Sequence, residues 1–89
     1  MPLTILIVDD EKSIRQMLRV VLKGSGDVVF LEANDVAEAL KLAREHRGPI
    51  HLLLSDVVMR GKMNGTEMAT QLSHARPEMK VFFDVWIRP

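Results

Sequence analysis

The chain has 89 residues, 47% of them hydrophobic and 27% charged, with twelve basic residues balanced by twelve acidic ones. That length allows one domain, residues 1–89, whose core buries roughly 60–68% of the unfolded surface, so each covering element matters. Zero net charge and the absence of cysteine give no electrostatic case for nucleic acid or membrane as the main partner, and they exclude disulfides and thiolate chemistry.

The first residues, MPLTILIVDDE, carry no basic leader, and their apolar run is too short for a signal peptide or a membrane span. The expected location is therefore the cytoplasm. Leu3 to Val8 is a continuous, β-branched apolar run, the pattern of a strand buried on both faces. Ser13 to Lys23 follows with Ile14, Met17, Leu18, Val21 and Leu22 at helical spacing and Gly24 as a stop. Val28 to Leu31 predicts a second strand. Asp35 to His46 predicts a second helix, with Asp35 and Glu38 in a capping-box pattern and Val36, Ala39, Leu40 and Ala43 on one face. Gly48-Pro49 breaks it, and Ile50 to Leu54 predicts a third strand. Thr66 is the expected cap of a third helix running to about Ala75, with Met68, Ala69 and Leu72 inward; Pro77 ends it, and Val81 to about Val85 predicts a fourth strand.

Strands alternating with helices through short connections imply a parallel sheet with helices on both faces, a three-layer α/β/α arrangement. In such sheets ligands bind beyond the carboxyl ends of the strands, and that is where the acids fall. Asp9 and Asp10 follow the first strand, and Asp56 follows the third. If those strands are neighbours, three carboxylates converge, and like charges that close resist joint ionisation unless a cation sits among them. An all-oxygen, solvent-open site suits Mg²⁺, and a carboxylate there can act as a nucleophile toward phosphorus. An acid pair between a strand and a helix is equally at home as a helix cap favoured by the dipole, and Asp56 can be an ordinary loop acid. The residues alone leave the two readings level.

The segments ILIVDDEKSIRQMLRVVL, EANDVAEAL and LLLSDVVMRGKMNGTEMA resemble, in order and spacing, the receiver domains of two-component response regulators, most of all those attached to hybrid sensor kinases. The resemblance covers Leu3 to Val81 and implies a flavodoxin-like receiver fold, truncated after the fourth strand. It places Asp56 as the phospho-acceptor and Asp9 and Asp10 as the acidic pair that holds Mg²⁺. It adds the backbone carbonyl of Val58 to the metal ligands and makes Gly65 the glycine that starts the third helix. The implied partner is a phosphohistidine on a histidine kinase or phosphotransfer domain. The implied role is that of a phosphorelay receiver rather than an enzyme.

Departures from the family pattern cluster near the site. Arg60 stands where a proline is usual, and Lys62 adds a second loop charge. Val85 falls at the position of the switch serine or threonine, and Trp86 at the small residue after it. Neither the fourth helix nor the fifth strand and helix follows, so the fifth-strand lysine that pairs with the phosphoryl group has no counterpart. Such a cation typically supplies several kcal/mol of transition-state stabilisation. Impaired switching is expected. The alternative is an interaction module that has lost switching and works by pairing. In the family's strand order the fourth strand is then an exposed edge bearing Phe82, Phe83 and Trp86, which predicts a homodimer or higher oligomer. The histidines, His46, His51 and His74, show no ligand spacing, and the six methionines, Met17, Met59 and Met68 among them, fit core filling.

Overall fold

A computed structural model of the chain describes residues 2–24, 26–56 and 64–83. Four strands and three helices alternate: β1 (Leu3–Val8), α1 (Lys12–Lys23), β2 (Val28–Ala33), α2 (Val36–Glu45), β3 (Leu52–Ser55), α3 (Gly65–Ala75) and β4 (Lys80–Phe83). The strands form one parallel sheet in the order β2-β1-β3-β4. β1 is central, which explains its largely apolar sequence: from Thr4 to Val8 every residue is buried, Thr4 being the one polar side chain among them. Its even and odd positions serve different layers. Leu6 and Val8 join Leu53 of β3 beneath α2 and α3, meeting Val36, Ala39, Ala43, Met68, Ala69 and Leu72. Ile5 and Ile7 face the other way, where α1 covers them with Leu18 and half-buried Ile14 and Leu22. The three-layer α/β/α order is therefore present.

The helices are held at their ends by different means. Asp35 caps α2, its Oδ1 accepting from the Glu38 N–H at 2.8 Å, while Glu38 Oε1 accepts from the Asn34 N–H at 2.9 Å. The reciprocal pattern read from Asp35 and Glu38 is realised, with its return bond one residue earlier than the usual geometry. The α2 C-terminus is closed from a distance. Arg76, beyond α3, donates to the carbonyls of Ala43, His46 and Gly48 at 2.9, 2.9 and 2.7 Å, supplying both hydrogen bonds and positive charge where the helix dipole favours it. Gly48, at φ +97°, takes the left-handed turn that leads into β3.

Two expectations are corrected. The cap of α3 is Asn64, not Thr66: Asn64 Oδ1 accepts from the Glu67 N–H at 2.9 Å and from the Thr66 hydroxyl at 2.6 Å. Asn64 lies three residues before Glu67, the spacing a cap requires, whereas Thr66 is already inside the helix. On α1, only the Ile14–Leu18–Leu22 row packs on the sheet, and Met17 and Val21 are exposed. Among the described residues no second helix lies on that face to bury them. Of the methionines, Met68 and Met79 do fill the core, Met17 does not, and Met59 lies outside the described residues. Val85, the expected end of β4, and Trp86 lie outside them too. No described helix is long and apolar enough to cross a membrane.

Candidate functional site

Strand register brings the acids to one edge. Val8 pairs with Ala33 on one side and with Ser55 on the other, so β1, β2 and β3 end level. The pairing continues one residue further: the Asp9 N–H donates to the Ala33 carbonyl and the Asp56 N–H to the Val8 carbonyl, each at 3.1 Å. Asp9 and Asp56 thus leave adjacent strands at the same height. Asp10 follows in the turn toward α1. One carboxylate oxygen from each of Asp9, Asp10 and Asp56 lies within 4.8 Å of the others.

Their surroundings differ. Asp9 is fully buried and Asp56 is 4% exposed, while Asp10 faces solvent. Asp9 Oδ1 accepts from the Glu11 N–H at 2.9 Å, so it closes the turn that leads into α1. The helix cap itself is Glu11, whose side chain makes no capping bond. The capping reading of the acid pair is therefore met in part by Asp9, and it does not compete with the convergence of the three carboxylates. An all-oxygen set with two shielded acids and one open to water fits a hard divalent cation, which keeps part of its water shell.

Asp56 is also fixed from behind. The Ser55 hydroxyl, buried, donates to the Asp56 carbonyl at 2.9 Å. Gly65 opens α3 directly against that same carbonyl: a Cβ built there would lie 2.1 Å from the Asp56 oxygen. The glycine is required by close approach rather than by an unusual backbone angle, and the start of α3 is thereby registered on the acid.

A second layer went unread in the sequence. Arg15 of α1, its side chain 14% exposed, donates through Nη1 to the Asp9 carbonyl at 2.6 Å and through Nε to Glu32 Oε1 at 3.3 Å. Arg19 donates to Glu32 Oε2 at 2.6 Å and lies 5.3 Å from the centroid of the Phe30 ring. The sequence did contain one signal for this network. Glu32 is an acid within the apolar strand VVFLEA, and a half-buried carboxylate calls for a cation.

Asp9, Asp10 and Asp56 are thus brought together from the predicted site, whereas Val58, Arg60 and Lys62 lie outside the described residues. His51 is half-buried, and its Nδ1 accepts from the Thr4 N–H at 2.9 Å, at the end of the sheet opposite the acids.

A parallel α/β sheet with an acid cluster at the carboxyl ends of its central strands defines a class of ligand-binding signalling and catalytic domains. Within that class, residues 5–84 match the profile of the response regulator receiver domain, and the chain belongs to that family. It is similar to the sensor kinase CckA of Brucella abortus (strain 2308), 34% identical over 80 residues that make up 90% of this chain and 8% of the kinase. It is also similar to the transcriptional regulatory protein YvrH of Bacillus subtilis (strain 168), 36% identical over 80 residues, 90% of this chain and 32% of that protein. Among solved structures, the response regulator receiver domain protein of Clostridium thermocellum superposes with a TM-score of 0.80 at 27% identity. That match covers 91% of this chain and 63% of the other. The flavodoxin-like receiver fold is therefore present, with described elements up to the fourth strand. The chain spans a small part of the curated relatives it matches.

Proposed function

We propose that this chain is a phosphorelay receiver in which Asp56 accepts a phosphoryl group from a phosphohistidine of a histidine kinase or phosphotransfer domain. The observation that carries this reading is the convergence of the three carboxylates at the sheet edge, in a chain of the receiver family. Asp9, Asp10 and Asp56, with the Val58 carbonyl, would hold Mg²⁺, which supplies charge neutralisation for the phosphoryl oxygens. The chain's own residues do the rest. A carboxylate oxygen of Asp56 attacks phosphorus, the phosphorus–nitrogen bond breaks, the imidazole leaves and takes up a proton, and an acyl phosphate remains on Asp56. The Ser55 and Gly65 contacts hold the Asp56 backbone so that its carboxylate needs little reorganisation. Val85 offers no hydroxyl at the switch position, so we infer acceptance without the usual conformational response.

Incubation with a small phosphoryl donor such as acetyl phosphate and Mg²⁺, followed by intact mass, should show one added phosphoryl group that does not form when the metal is chelated before the donor is added. An adduct indifferent to chelation would remove the metal from this account, and no adduct would remove the acceptor role.

A second reading is favoured by β4. Among the described residues it pairs only with β3, and Phe82 on it is 57% exposed. An unpaired edge with an exposed aromatic is a template for another strand. A second copy related by a two-fold axis would satisfy both edges with one kind of contact, and zero net charge puts no long-range repulsion in its way. The 89-residue chain is expected to elute and scatter as a dimer whose fraction grows with concentration. A mass fixed at one chain across a hundredfold dilution range would overturn the pairing.

A further inference from the structure

We infer that Arg15 is a positioning residue for the cation site: by holding the Asp9 carbonyl it sets the direction of the Asp10 carboxylate. The inference rests on the metal reading proposed above. Asp9 is held at three points, one from β2 and two from the first turns of α1. Its N–H donates to the Ala33 carbonyl of β2, its Oδ1 accepts from the Glu11 N–H, and its carbonyl accepts from Arg15 Nη1 at 2.6 Å. The Asp9–Asp10 peptide is planar, so fixing the Asp9 oxygen also fixes the Asp10 nitrogen and the direction in which its Cα leaves the turn. Asp10 is the exposed member of the acid trio, and its carboxylate reaches the site from the backbone that this peptide fixes.

The guanidinium is itself held in place. Glu32 binds Arg15 Nε with one oxygen and Arg19 with the other, and the Arg19 head lies against the Phe30 ring. A planar fork bonded at Nε has one remaining direction in which to present Nη1, and that direction meets the Asp9 carbonyl. Lysine has no second donor set fixed in this way, so its grip on the same carbonyl is looser.

Coulomb interaction alone predicts the opposite sign. Arg15 is a cation near a site proposed to bind a cation, so removing its charge should tighten metal binding if charge were its whole effect. A positioning role predicts weaker binding. Outer-shell partners of metal ligands are typically worth 10- to 100-fold in affinity, so Arg15→Ala is expected to weaken Mg²⁺ by about tenfold or more in calorimetric titration.

The test compares Mg²⁺ affinity and metal-free melting temperature for the wild-type chain, Arg15→Ala and Arg15→Lys. The expected result is weaker binding in the alanine variant, partly recovered in the lysine variant. Unchanged or tighter binding in Arg15→Ala, including the case of a lowered melting temperature with unaltered affinity, overturns the positioning role. If the alanine variant does not fold, Arg15→Gln, which keeps much of the length and removes the charge, is measured against the same signs. A wild-type chain that takes up no Mg²⁺ at millimolar concentration removes the metal reading and this inference with it. A wild-type chain that binds while Arg15→Ala binds equally well removes this inference alone.

Discussion

Asp56→Asn is expected to abolish phosphoryl acceptance. The amide has nearly the same shape and keeps the backbone bonds from the Asp56 N–H to the Val8 carbonyl and from the Ser55 hydroxyl to the Asp56 carbonyl. What it loses is the charged nucleophile, and removing the nucleophile of a covalent step lowers rates by several orders of magnitude. The adduct seen by intact mass should fall below detection in Asp56→Asn. Mg²⁺ binding should weaken as well, because one of three converging carboxylates has gone. The same substitution need not destabilise the fold: a carboxylate that is 4% exposed beside two others is a source of repulsion when no cation is bound. An adduct of undiminished yield in Asp56→Asn would assign the phosphoryl group to another side chain.

Gly65→Ala is expected to carry the largest effect on stability of an added methyl at any of the described glycines. The new Cβ would fall 2.1 Å from the Asp56 carbonyl oxygen and 3.1 Å from both the Asp56 carbonyl carbon and Ser55 Oγ. The obstacle is main chain at the end of a buried strand, so no side-chain rotation can relieve it. Either α3 shifts away from the sheet, loosening the contacts of Met68, Ala69 and Leu72, or the Asp56 backbone yields. Overpacking of this kind costs about 1–3 kcal/mol and sometimes more. A rigid obstacle places this site near the upper end. The denaturation midpoint should drop accordingly, and Mg²⁺ affinity should drop with it because the displaced group is the peptide that carries the acid. Gly24 provides the control. Its added Cβ would meet the Val21 carbonyl at 3.8 Å, ordinary contact, and its φ of −66° suits alanine. Gly24→Ala should leave stability within about 0.5 kcal/mol of wild type or raise it slightly. Equal effects at both glycines would contradict the close-approach argument.

How far the sequence could be read depended on whether a feature is local. The run Leu3–Val8 announces a central strand because a strand with neighbours on both sides and helices on both faces buries both of its faces, and five of its six residues are apolar. The acids could be placed because parallel strands end level, so residues just after β1 and β3 must meet if those strands pair, as they do. The cap of α3 could have been read correctly. Asn64 and Thr66 are both capping types, and the deciding clue was that Glu67 lies three residues after Asn64. The width of the buried stripe on α1 is a different matter. Met17 and Val21 sit at helical spacing with Ile14 and Leu18, but burial depends on which neighbours a helix has, and periodicity does not carry that information. The Arg15–Asp9 contact was further out of reach, since it needs the distance between α1 and the end of β1 and the rotamer of a long side chain. Only the acid in β2 hinted that a cation must lie nearby.

The central claim is that the phosphoryl group is carried by the Asp56 carboxylate, and the most direct measurement is chemical trapping at that residue. Protein treated with a small phosphoryl donor and Mg²⁺ is reduced with borohydride, which converts an acyl phosphate of aspartate to homoserine, and is then digested and sequenced by tandem mass spectrometry. Homoserine at position 56, absent when the donor is omitted, is the predicted result. Homoserine at position 9 or 10, or a phosphoryl group found on histidine, serine or threonine with position 56 unaltered, would contradict the account.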